Sequence, residues 1–144
     1  MIIVRQLLRT KGHDIWSIAP DDSVYDALKL MADRDVGALL VLEEGNLVGI
    51  LSERDYARKV ILRGKSSMDT PVKEIMTQKV ISVSPEQTIA ECMTLMTDKH
   101  VRHLPVFEDD RLIGLVSIGD VVKAIMSQQE FIIEQLERYI TNGG

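Results

Sequence analysis

Two short motifs place a glycine, a serine and an aspartate at identical spacing. They read Gly49-Ile-Leu-Ser52-Glu-Arg-Asp55 and Gly114-Leu-Val-Ser117-Ile-Gly-Asp120. Each serine follows an apolar run where a strand is predicted to pass into a helix, and free N–H groups and the helix dipole at such a junction favour phosphate oxygens. Ser-x-x-Asp is equally a helix capping box, which requires no ligand. The motif alone leaves both interpretations open.

The two motifs belong to an internal repeat. Residues 16–60 align with residues 81–125 at a constant offset of 65 without a gap, and 13 of the 45 aligned positions are identical. The identities run through the whole alignment and include Ser17 with Ser82, Pro20 with Pro85, Met31 with Met96, Val41 with Val106, and Gly49 with Gly114. We therefore expect two copies of one folding unit.

Each copy predicts the order strand, helix, strand, strand, helix. Ser23 and Thr88 are the predicted helix N-caps, each in a capping box with an acidic residue three positions later, and apolar residues follow at helical spacing. Two apolar runs around a polar turn then predict a hairpin. The predicted strands are residues 15–18, 38–42 and 47–51 in the first copy and residues 80–83, 104–107 and 112–116 in the second.

Two further segments flank these elements. Residues 63–71 are rich in Gly, Ser and Thr and are the predicted linker between the copies. Residues 128–140 place Ile132, Leu136, Tyr139 and Ile140 on one stripe among charged residues. This pattern predicts a helix that packs against another surface, and it is a candidate for self-association.

The repeated unit resembles the CBS domain, which is named after cystathionine β-synthase and also occurs in IMP dehydrogenase and in the regulatory subunit of AMP-activated protein kinase. The resemblance rests on the two Gly-x-x-Ser-x-x-Asp motifs, each closing a βαββα unit, and on Val-Arg-His-Leu-Pro-Val at residues 101–106. It covers residues 8–126. The fold class that it implies is α/β, with two βαββα CBS repeats related by a pseudo-twofold axis and packed as one module.

The resemblance also implies a domain organisation and a ligand class. The first CBS repeat is expected at residues 8–63, the second at residues 72–127, and a C-terminal helix and tail at residues 128–144. Such pairs form two clefts between the copies, each able to take an adenosine compound, here AMP, ATP or NAD. The resemblance is strongest to small stand-alone bacterial proteins made of one CBS pair. Such pairs commonly form homodimers, and we expect one here.

The resemblance assigns the candidate ligands of the nucleotide. The motif aspartates are the ribose ligands, because one carboxylate can accept hydrogen bonds from two neighbouring hydroxyls. Basic side chains are the phosphate ligands, and a guanidinium can bond two phosphate oxygens. The set for the Asp55 site is Ser52, Asp55, Thr77 and Lys79, and Arg54 is a further phosphate ligand behind Arg102 and His103. The set for the Asp120 site is Lys11, Gly12, His13, Val36, Gly37, Arg102, His103, Ser117, Gly119 and Asp120.

The two sites are not equivalent in sequence. Gly37 and Ala38 stand in the first copy where the second copy has Arg102 and His103. We therefore expect the sites to differ in affinity or in ligand. A site with little basic lining suits a larger molecule such as NAD, whose charge lies elsewhere.

Composition and single residues argue against several other classes of protein. The net charge of -5 argues against nonspecific nucleic-acid binding. The single cysteine, Cys92, excludes an intramolecular disulfide and lies on the predicted apolar face of a helix. No apolar run is long enough to span a bilayer, and a cytoplasmic location is expected. The three histidines lack the spacing of a metal site, so no metal is expected.

Three functional hypotheses remain at this stage. The first is a non-catalytic regulator of a partner protein that responds to AMP, ATP or NAD as an energy or redox sensor. The second is a structural dimerisation module whose clefts stay empty. The third is an enzyme acting on a bound nucleotide, and no catalytic motif in the sequence supports it.

Overall fold

The structure, a computed structural model, describes residues 1–141, so the end of the predicted tail, residues 142–144, lies outside the described residues. The elements in chain order are α1 (Val4–Lys11), β1 (Ser17–Ile18), α2 (Val24–Arg34), β2 (Ala38–Glu43), β3 (Asn46–Ser52), α3 (Glu53–Tyr56), a π-helix (Ala57–Ile61), α4 (Val72–Ile75), α5 (Ile89–Lys99), β4 (His103–Glu108), β5 (Arg111–Ser117) and α6 (Ile118–Thr141). The α/β fold class predicted from the sequence is confirmed.

The chain folds into two compact units that exchange their entering segments. The first-repeat unit is Ile15–Val80, and the second-repeat unit is Met1–Asp14 together with the chain from Ile81 onward. Helix α1 precedes the aligned residues 16–60 of the first repeat but belongs to the second-repeat unit. Helix α4 precedes the aligned residues 81–125 of the second repeat but belongs to the first-repeat unit. Each repeat is thus completed by the segment that enters the other one.

The first-repeat unit is built on a three-stranded sheet. Strand β1 pairs parallel with β2, and β2 pairs antiparallel with β3. Helix α2 begins at its N-cap Ser23, whose hydroxyl accepts a hydrogen bond from the Asp26 N–H at 3.1 Å. One apolar cluster lies between these elements and is formed by Val24, Ala27, Met31, Leu39, Val41, Leu51, Val60, Val72 and Ile75.

The second-repeat unit repeats this plan. Strands β4 and β5 form an antiparallel hairpin with a register shift at Val106/Phe107, matching the shift at Val41/Leu42 in the first-repeat hairpin. Helix α5 begins at Thr88, which forms a full capping box with Glu91. The apolar cluster is formed by Val4, Leu7, Leu8, Val83, Ile89, Cys92, Met96, Leu104, Val106, Val116 and Val121.

Helices α1 and α4 dock on their units through equivalent contacts. The Val4 N–H donates to the Gln87 carbonyl at 2.8 Å, and the Val72 N–H donates to the Asp22 carbonyl at the same distance. The next residue in each helix is basic and forms an ion pair: Arg5 contacts Glu86 at 2.5 Å and also Glu108, while Lys73 contacts Asp21 at 2.8 Å. The duplication therefore extends to the entering segments.

The first strand of each repeat is shorter than predicted. Residues 15–18 yield only the two-residue β1, and residues 80–83 yield a single bridge between Val83 and Val106. Proline explains the difference between the repeats. The Leu40 N–H donates to the Trp16 carbonyl at 3.1 Å, but the equivalent position in the second repeat is Pro105, which has no N–H to donate.

Two helix predictions also need correction. The first-repeat capping box is one-sided, because among the described contacts the Asp26 carboxylate does not bond back to the Ser23 N–H. The predicted C-terminal helix is not a separate element, since α6 runs unbroken from Ile118 to Thr141. Residues 121–141 contain neither glycine nor proline, so nothing in the sequence ends the helix earlier.

Candidate functional site

The second motif forms a capping box at the junction of β5 and α6. The Ser117 N–H donates to Asp120 Oδ2 at 2.8 Å, and the Asp120 N–H donates to Ser117 Oγ at 3.1 Å. The Asp120 carboxylate is thereby held at the N-terminus of a 24-residue helix. The capping interpretation of Ser-x-x-Asp is therefore correct for this motif, and it positions a carboxylate where backbone N–H groups are exposed.

Lys11, at the end of α1, neutralises this carboxylate. Its ammonium donates to Asp120 Oδ2 and to the Leu115 carbonyl, both at 2.5 Å. Burial raises the pKa of the Asp120 carboxyl, but the hydrogen bonds from Lys11 and from the Ser117 N–H outweigh burial, so the net pKa lies below its ordinary value. Asp120 is thus ionised at neutral pH and available as a hydrogen-bond acceptor.

The two residues that follow Lys11 end α1 and contact β5. Gly12 ends α1 with φ at +104°, a conformation that favours glycine, and its N–H donates to the Leu8 carbonyl at 2.7 Å. His13 Nδ1 lies 2.8 Å from the Ile113 carbonyl, which can only accept, so Nδ1 carries the proton. The structure therefore brings Lys11 to Asp120 and holds His13 along the same strand.

Arg102, His103 and Gly119 surround the same junction. The Arg102 carbonyl accepts a hydrogen bond from the Ile118 N–H at 2.8 Å, and His103 is the β-ladder partner of Ser117. The Arg102 side chain is exposed. A Cβ on Gly119 would meet Ser117 Oγ at 3.6 Å, an ordinary contact, so packing does not require a glycine there. Four residues with basic side chains, Lys11, His13, Arg102 and His103, thus belong to one unit with Asp120.

The first motif forms the equivalent junction between β3 and α3. Ser52 and Asp55 form a full capping box, with the Ser52 N–H donating to Asp55 Oδ2 at 3.0 Å and the Asp55 N–H donating to Ser52 Oγ at 3.1 Å. The Thr77 hydroxyl donates to Asp55 Oδ1 at 3.2 Å. Thr77 is held there by a β-bridge to Ile50. The structure therefore brings together Ser52, Asp55 and Thr77, as the sequence assigned them.

Lys59 completes this junction and was missed in the sequence. Its ammonium lies 3.1 Å from Asp55 Oδ1 and donates to the Ile75 carbonyl at 2.9 Å. The available signal was the Asp55/Lys59 spacing of four residues on a predicted helix, which favours an ion pair. Lys59 lies in the π-helix that follows α3. Each motif aspartate is therefore paired with a lysine, but the two lysines come from different elements.

Within residues 1–141, no hydrogen bond or ion pair joins a motif aspartate to the side chains or backbone of Val36, Gly37 or Lys79, or to the Arg54 side chain. The Gly37 carbonyl accepts from the Glu53 N–H at 3.1 Å, beside Ser52, and the Val36 N–H donates to the Met31 carbonyl, so both lie in the first-repeat unit. Their assignment to the Asp120 site stays a prediction. Arg54 and Lys79 are exposed, and within residues 1–141 neither bonds to Asp55.

Comparison with known proteins identifies the family. The family model described as "CBS domain" matches twice, at residues 4–62 and 72–127. The chain belongs to the CBS-domain family. The resemblance inferred from the two motifs is therefore confirmed.

Relatives and solved structures agree with this assignment. "CBS domain-containing protein CBSX3, mitochondrial" from Arabidopsis thaliana is 43% identical over 150 residues, covering 97% of this chain and 72% of the relative. A protein with CBS domains from Burkholderia ambifaria is 50% identical, with a TM-score of 0.85 over 88% of this chain and 96% of that one. The CBS domain pair of protein MJ0100, solved with 5′-methylthioadenosine and S-adenosyl-L-methionine, shares the fold at 23% identity, with a TM-score of 0.78 over 89% of this chain and 98% of that one.

The glycine of each CBS motif is a packing residue. A Cβ on Gly49 would lie 2.7 Å from Met76 Sδ and 3.0 Å from the Thr77 carbonyl oxygen, and a Cβ on Gly114 would lie 2.8 Å from Leu8 Cδ2. These distances are too short for carbon. The glycine therefore lets the entering segment approach the last strand of the repeat, which brings Thr77 to Asp55 and Lys11 to Asp120.

Two further observations concern a cysteine nucleophile and membrane-spanning helices. Cys92 is fully buried in the CBS core, and burial, assisted by the charge of Glu91, raises the pKa of its thiol to about 11. It is therefore a protonated core side chain and a poor nucleophile. None of the helices within residues 1–141 is long and apolar enough to cross a bilayer.

Proposed function

We propose that this CBS pair is a non-catalytic regulatory module that binds an adenine nucleotide, AMP, ATP or NAD, and acts as an energy or redox sensor in signal transduction. The observation that carries the proposal is the Asp120 junction. There an ionised carboxylate stands at the N-terminus of α6, in one unit with Lys11, His13, Arg102 and His103. This combination suits a ligand with both a diol and a phosphate.

The proposed binding step is an exchange of partners at Asp120. The ribose hydroxyls replace the Lys11 ammonium as donors to the carboxylate, since Asp120 accepts and hydroxyls donate. Lys11 is then released to pair with phosphate, together with Arg102. MJ0100 supports this ligand class, because 5′-methylthioadenosine and S-adenosyl-L-methionine both contain an adenosine group, which the same fold accommodates in that protein.

The Asp55 junction is proposed to be the second, unequal site. Gly37 and Ala38 supply no charge beside Ser52, where the second copy has Arg102 and His103. Lys59 is the cation already bound to Asp55. We infer weaker phosphate binding at this site, and NAD is the ligand that suits it best.

The binding test is thermal unfolding of the full chain with AMP, ADP, ATP, NAD, NADH and S-adenosylmethionine. A ligand that binds only the folded state stabilises it by about 2.7 kcal/mol at a hundredfold excess over Kd, so the midpoint rises. Asp120→Asn keeps an acceptor for the Ser117 N–H but removes the charge, and we expect it to fold and to lose the part of the shift that the Asp120 site contributes. Asp98→Ala, at an exposed position, is the matched control. No shift with any ligand at millimolar concentration refutes the proposal.

The alternative function is a structural dimerisation module that binds no ligand. It is favoured by the complete capping boxes, in which Ser52, Asp55, Ser117 and Asp120 are satisfied without any ligand. The thermal experiment separates the two functions, because this module predicts an unchanged midpoint. Turnover is tested by product analysis after incubation with each nucleotide, and altered nucleotide would contradict the non-catalytic assignment.

The remaining parts of the proposal concern the partner and the cellular location. We propose a homodimer that signals to a partner protein. The ligand shifts the module between two conformational states, and the size of the shift depends on the difference between its affinities for them. A cytoplasmic location and the absence of nucleic-acid binding complete the proposal. The net charge of -5 supports the latter.

A further inference from the structure

Helix α6 continues past the body of the second-repeat unit. Near its start, Val121 is buried, and Ala124 and Ile125 pack against the apolar cluster of that unit. From residue 129 to residue 141 every side chain is exposed. At 1.5 Å per residue, this second half is a rod of about 20 Å. It carries large apolar side chains that the described chain leaves uncovered, namely Phe131, Ile132, Ile133, Leu136, Tyr139 and Ile140.

The apolar residues of α6 follow a heptad repeat, abcdefg, when Val122 is assigned to position a. Leu136 then also occupies an a position, and Gln129 is the polar residue between them. The d positions hold Ile118, Ile125, Ile132 and Tyr139, and the e positions from the second turn onward hold Met126, Ile133 and Ile140. An a, d and e stripe of this kind is typical of a helix that packs in a bundle with others.

The charges of α6 are confined to the opposite face. Every charged residue of α6 falls at b, c or f, namely Asp120, Lys123, Glu130, Glu134, Glu137 and Arg138. The g positions hold Val121, Gln128 and Gln135. The e and g edges are where paired helices repel or attract each other by charge. Because both edges are uncharged, two copies of α6 can pair without like-charge repulsion.

The edges also distinguish the two orientations of such a pair. In a parallel pair, the e edge of one helix faces the g edge of the other, which would place Ile133 and Ile140 against glutamines. In an antiparallel pair, e faces e and g faces g. Met126 then meets the partner's Ile133, and Gln128 meets the partner's Gln135. The antiparallel orientation therefore separates the apolar edge from the polar edge.

The antiparallel register also sets the exposed second half of each helix against the first half of the other. It sets Val122 against the partner's Tyr139 and Ile125 against the partner's Leu136. A cavity of about 340 Å³ borders α6 at Ile125 and Gln128 and is otherwise lined by Met1, Ile2, Ile89 and Ala90. The partner's Leu136 would therefore lie over an apolar groove that continues the stripe.

We propose that α6 is the self-association surface of this protein and that it pairs antiparallel with α6 of a second copy. The inference rests on the homodimer in the proposed function and gives it a surface and an orientation. It does not depend on nucleotide binding. A dimer that forms elsewhere would overturn the surface and leave the homodimer standing, whereas a monomer would overturn both.

The surface is tested by sedimentation velocity of the full chain over a range of concentrations. We expect wild type to sediment as two chains of 16.2 kDa. Leu136→Glu, on the stripe, should raise the dissociation constant at least a hundredfold. Phe131→Glu is the matched control, since Phe131 is 61% exposed against 57% for Leu136 but lies at c. Circular dichroism confirms the fold of both. Monomeric wild type, a dimeric Leu136→Glu variant, or equal loss in both variants overturns the proposal.

The orientation is tested by oxidative cross-linking of Val122→Cys and Tyr139→Cys chains. The native Cys92 is buried and does not compete. An antiparallel pair joins Val122→Cys to Tyr139→Cys, so the disulfide forms only when the two variants are mixed. A parallel pair joins each variant to itself, so cross-linking of either variant alone overturns the antiparallel arrangement.

Discussion

At the scale of single residues, the two motif aspartates have the same backbone role and different partners. Both close a capping box, but Asp55 is paired with Lys59 on its own helical segment and Asp120 with Lys11 from α1. The lysine at Asp120 also holds the Leu115 carbonyl, so it links α1, β5 and α6. A ligand that displaces Lys11 therefore acts on α1, β5 and α6, whereas displacement of Lys59, which also holds the Ile75 carbonyl, acts on α3, the π-helix and α4.

We expect Lys11→Met to raise the pKa of Asp120, because the variant removes the cation and leaves burial in place. A carboxyl whose folded-state pKa is lowered stabilises the fold above its unfolded pKa of about 3.9 and loses that contribution as the pH falls through the folded value. Acid unfolding of the second-repeat unit should then begin at higher pH. Carboxyl ¹³C NMR titration measures the shift, and Lys29→Met, an exposed lysine in the other unit, is the control. An unchanged pKa would show that Lys11 does not neutralise Asp120.

At the scale of elements, the close approach of each entering segment to a last strand positions the site. Gly49 admits Met76 and Thr77, and Gly114 admits Leu8. Both glycines lie in the middle of a strand, a place where glycine weakens the sheet unless another group approaches closely. A shift of α1, or of the segment after α4, would therefore move the groups that contact the motif aspartates.

We expect Gly49→Ala to destabilise the fold by about 1–3 kcal/mol, as overpacking of a core does. Gly114→Ala should cost less, because the Leu8 side chain can rotate away whereas the Thr77 carbonyl that faces Gly49 is part of the backbone. Urea denaturation measures both. Gly119→Ala is the control, since its Cβ has room and alanine favours helix. Equal midpoints for Gly49→Ala and wild type would refute the close-approach explanation.

At the scale of the whole molecule, neither repeat forms its core from its own sequence alone. Val4, Leu7 and Leu8 belong to the core of the second-repeat unit, and Val72 and Ile75 belong to the core of the first-repeat unit. The first match to the CBS-domain family begins at residue 4, the first residue of α1, and therefore includes a segment that packs with the other repeat. Cutting the chain between the repeats would separate each unit from part of its core.

We therefore expect Leu8→Ala to loosen α5 and β4, which belong to the second repeat, even though Leu8 lies within residues 4–62, the first CBS-domain match. Truncation of a buried leucine costs about 2–5 kcal/mol, and Leu8 is 1% exposed. Hydrogen exchange should accelerate at the amides of residues 89–99 and 103–108. Leu62→Ala, at a leucine that is 78% exposed, is the control and should leave exchange unchanged. Unaltered exchange in α5 would contradict the assignment of α1 to this unit.

The sequence by itself determined the repeat, the hairpins, the helix caps at Ser23 and Thr88, and the family, because these depend on local spacing and on matching registers. It also paired Thr77 with Asp55 and Lys11 with Asp120, through the resemblance. Pro105 was visible in the sequence, but its effect on the first strand of the second repeat depends on which carbonyl faces it.

Only the tertiary structure decided that Lys11 neutralises Asp120 and why each motif carries a glycine. Lys11 and Leu8 lie far along the chain from Asp120 and Gly114, and their contacts follow from the exchange of entering segments rather than from any local pattern. The residues of each Gly-x-x-Ser-x-x-Asp motif thus have two different structural roles. Serine and aspartate cap a helix by local geometry, whereas glycine admits a distant segment, which brings Thr77 to Asp55 and Lys11 to Asp120.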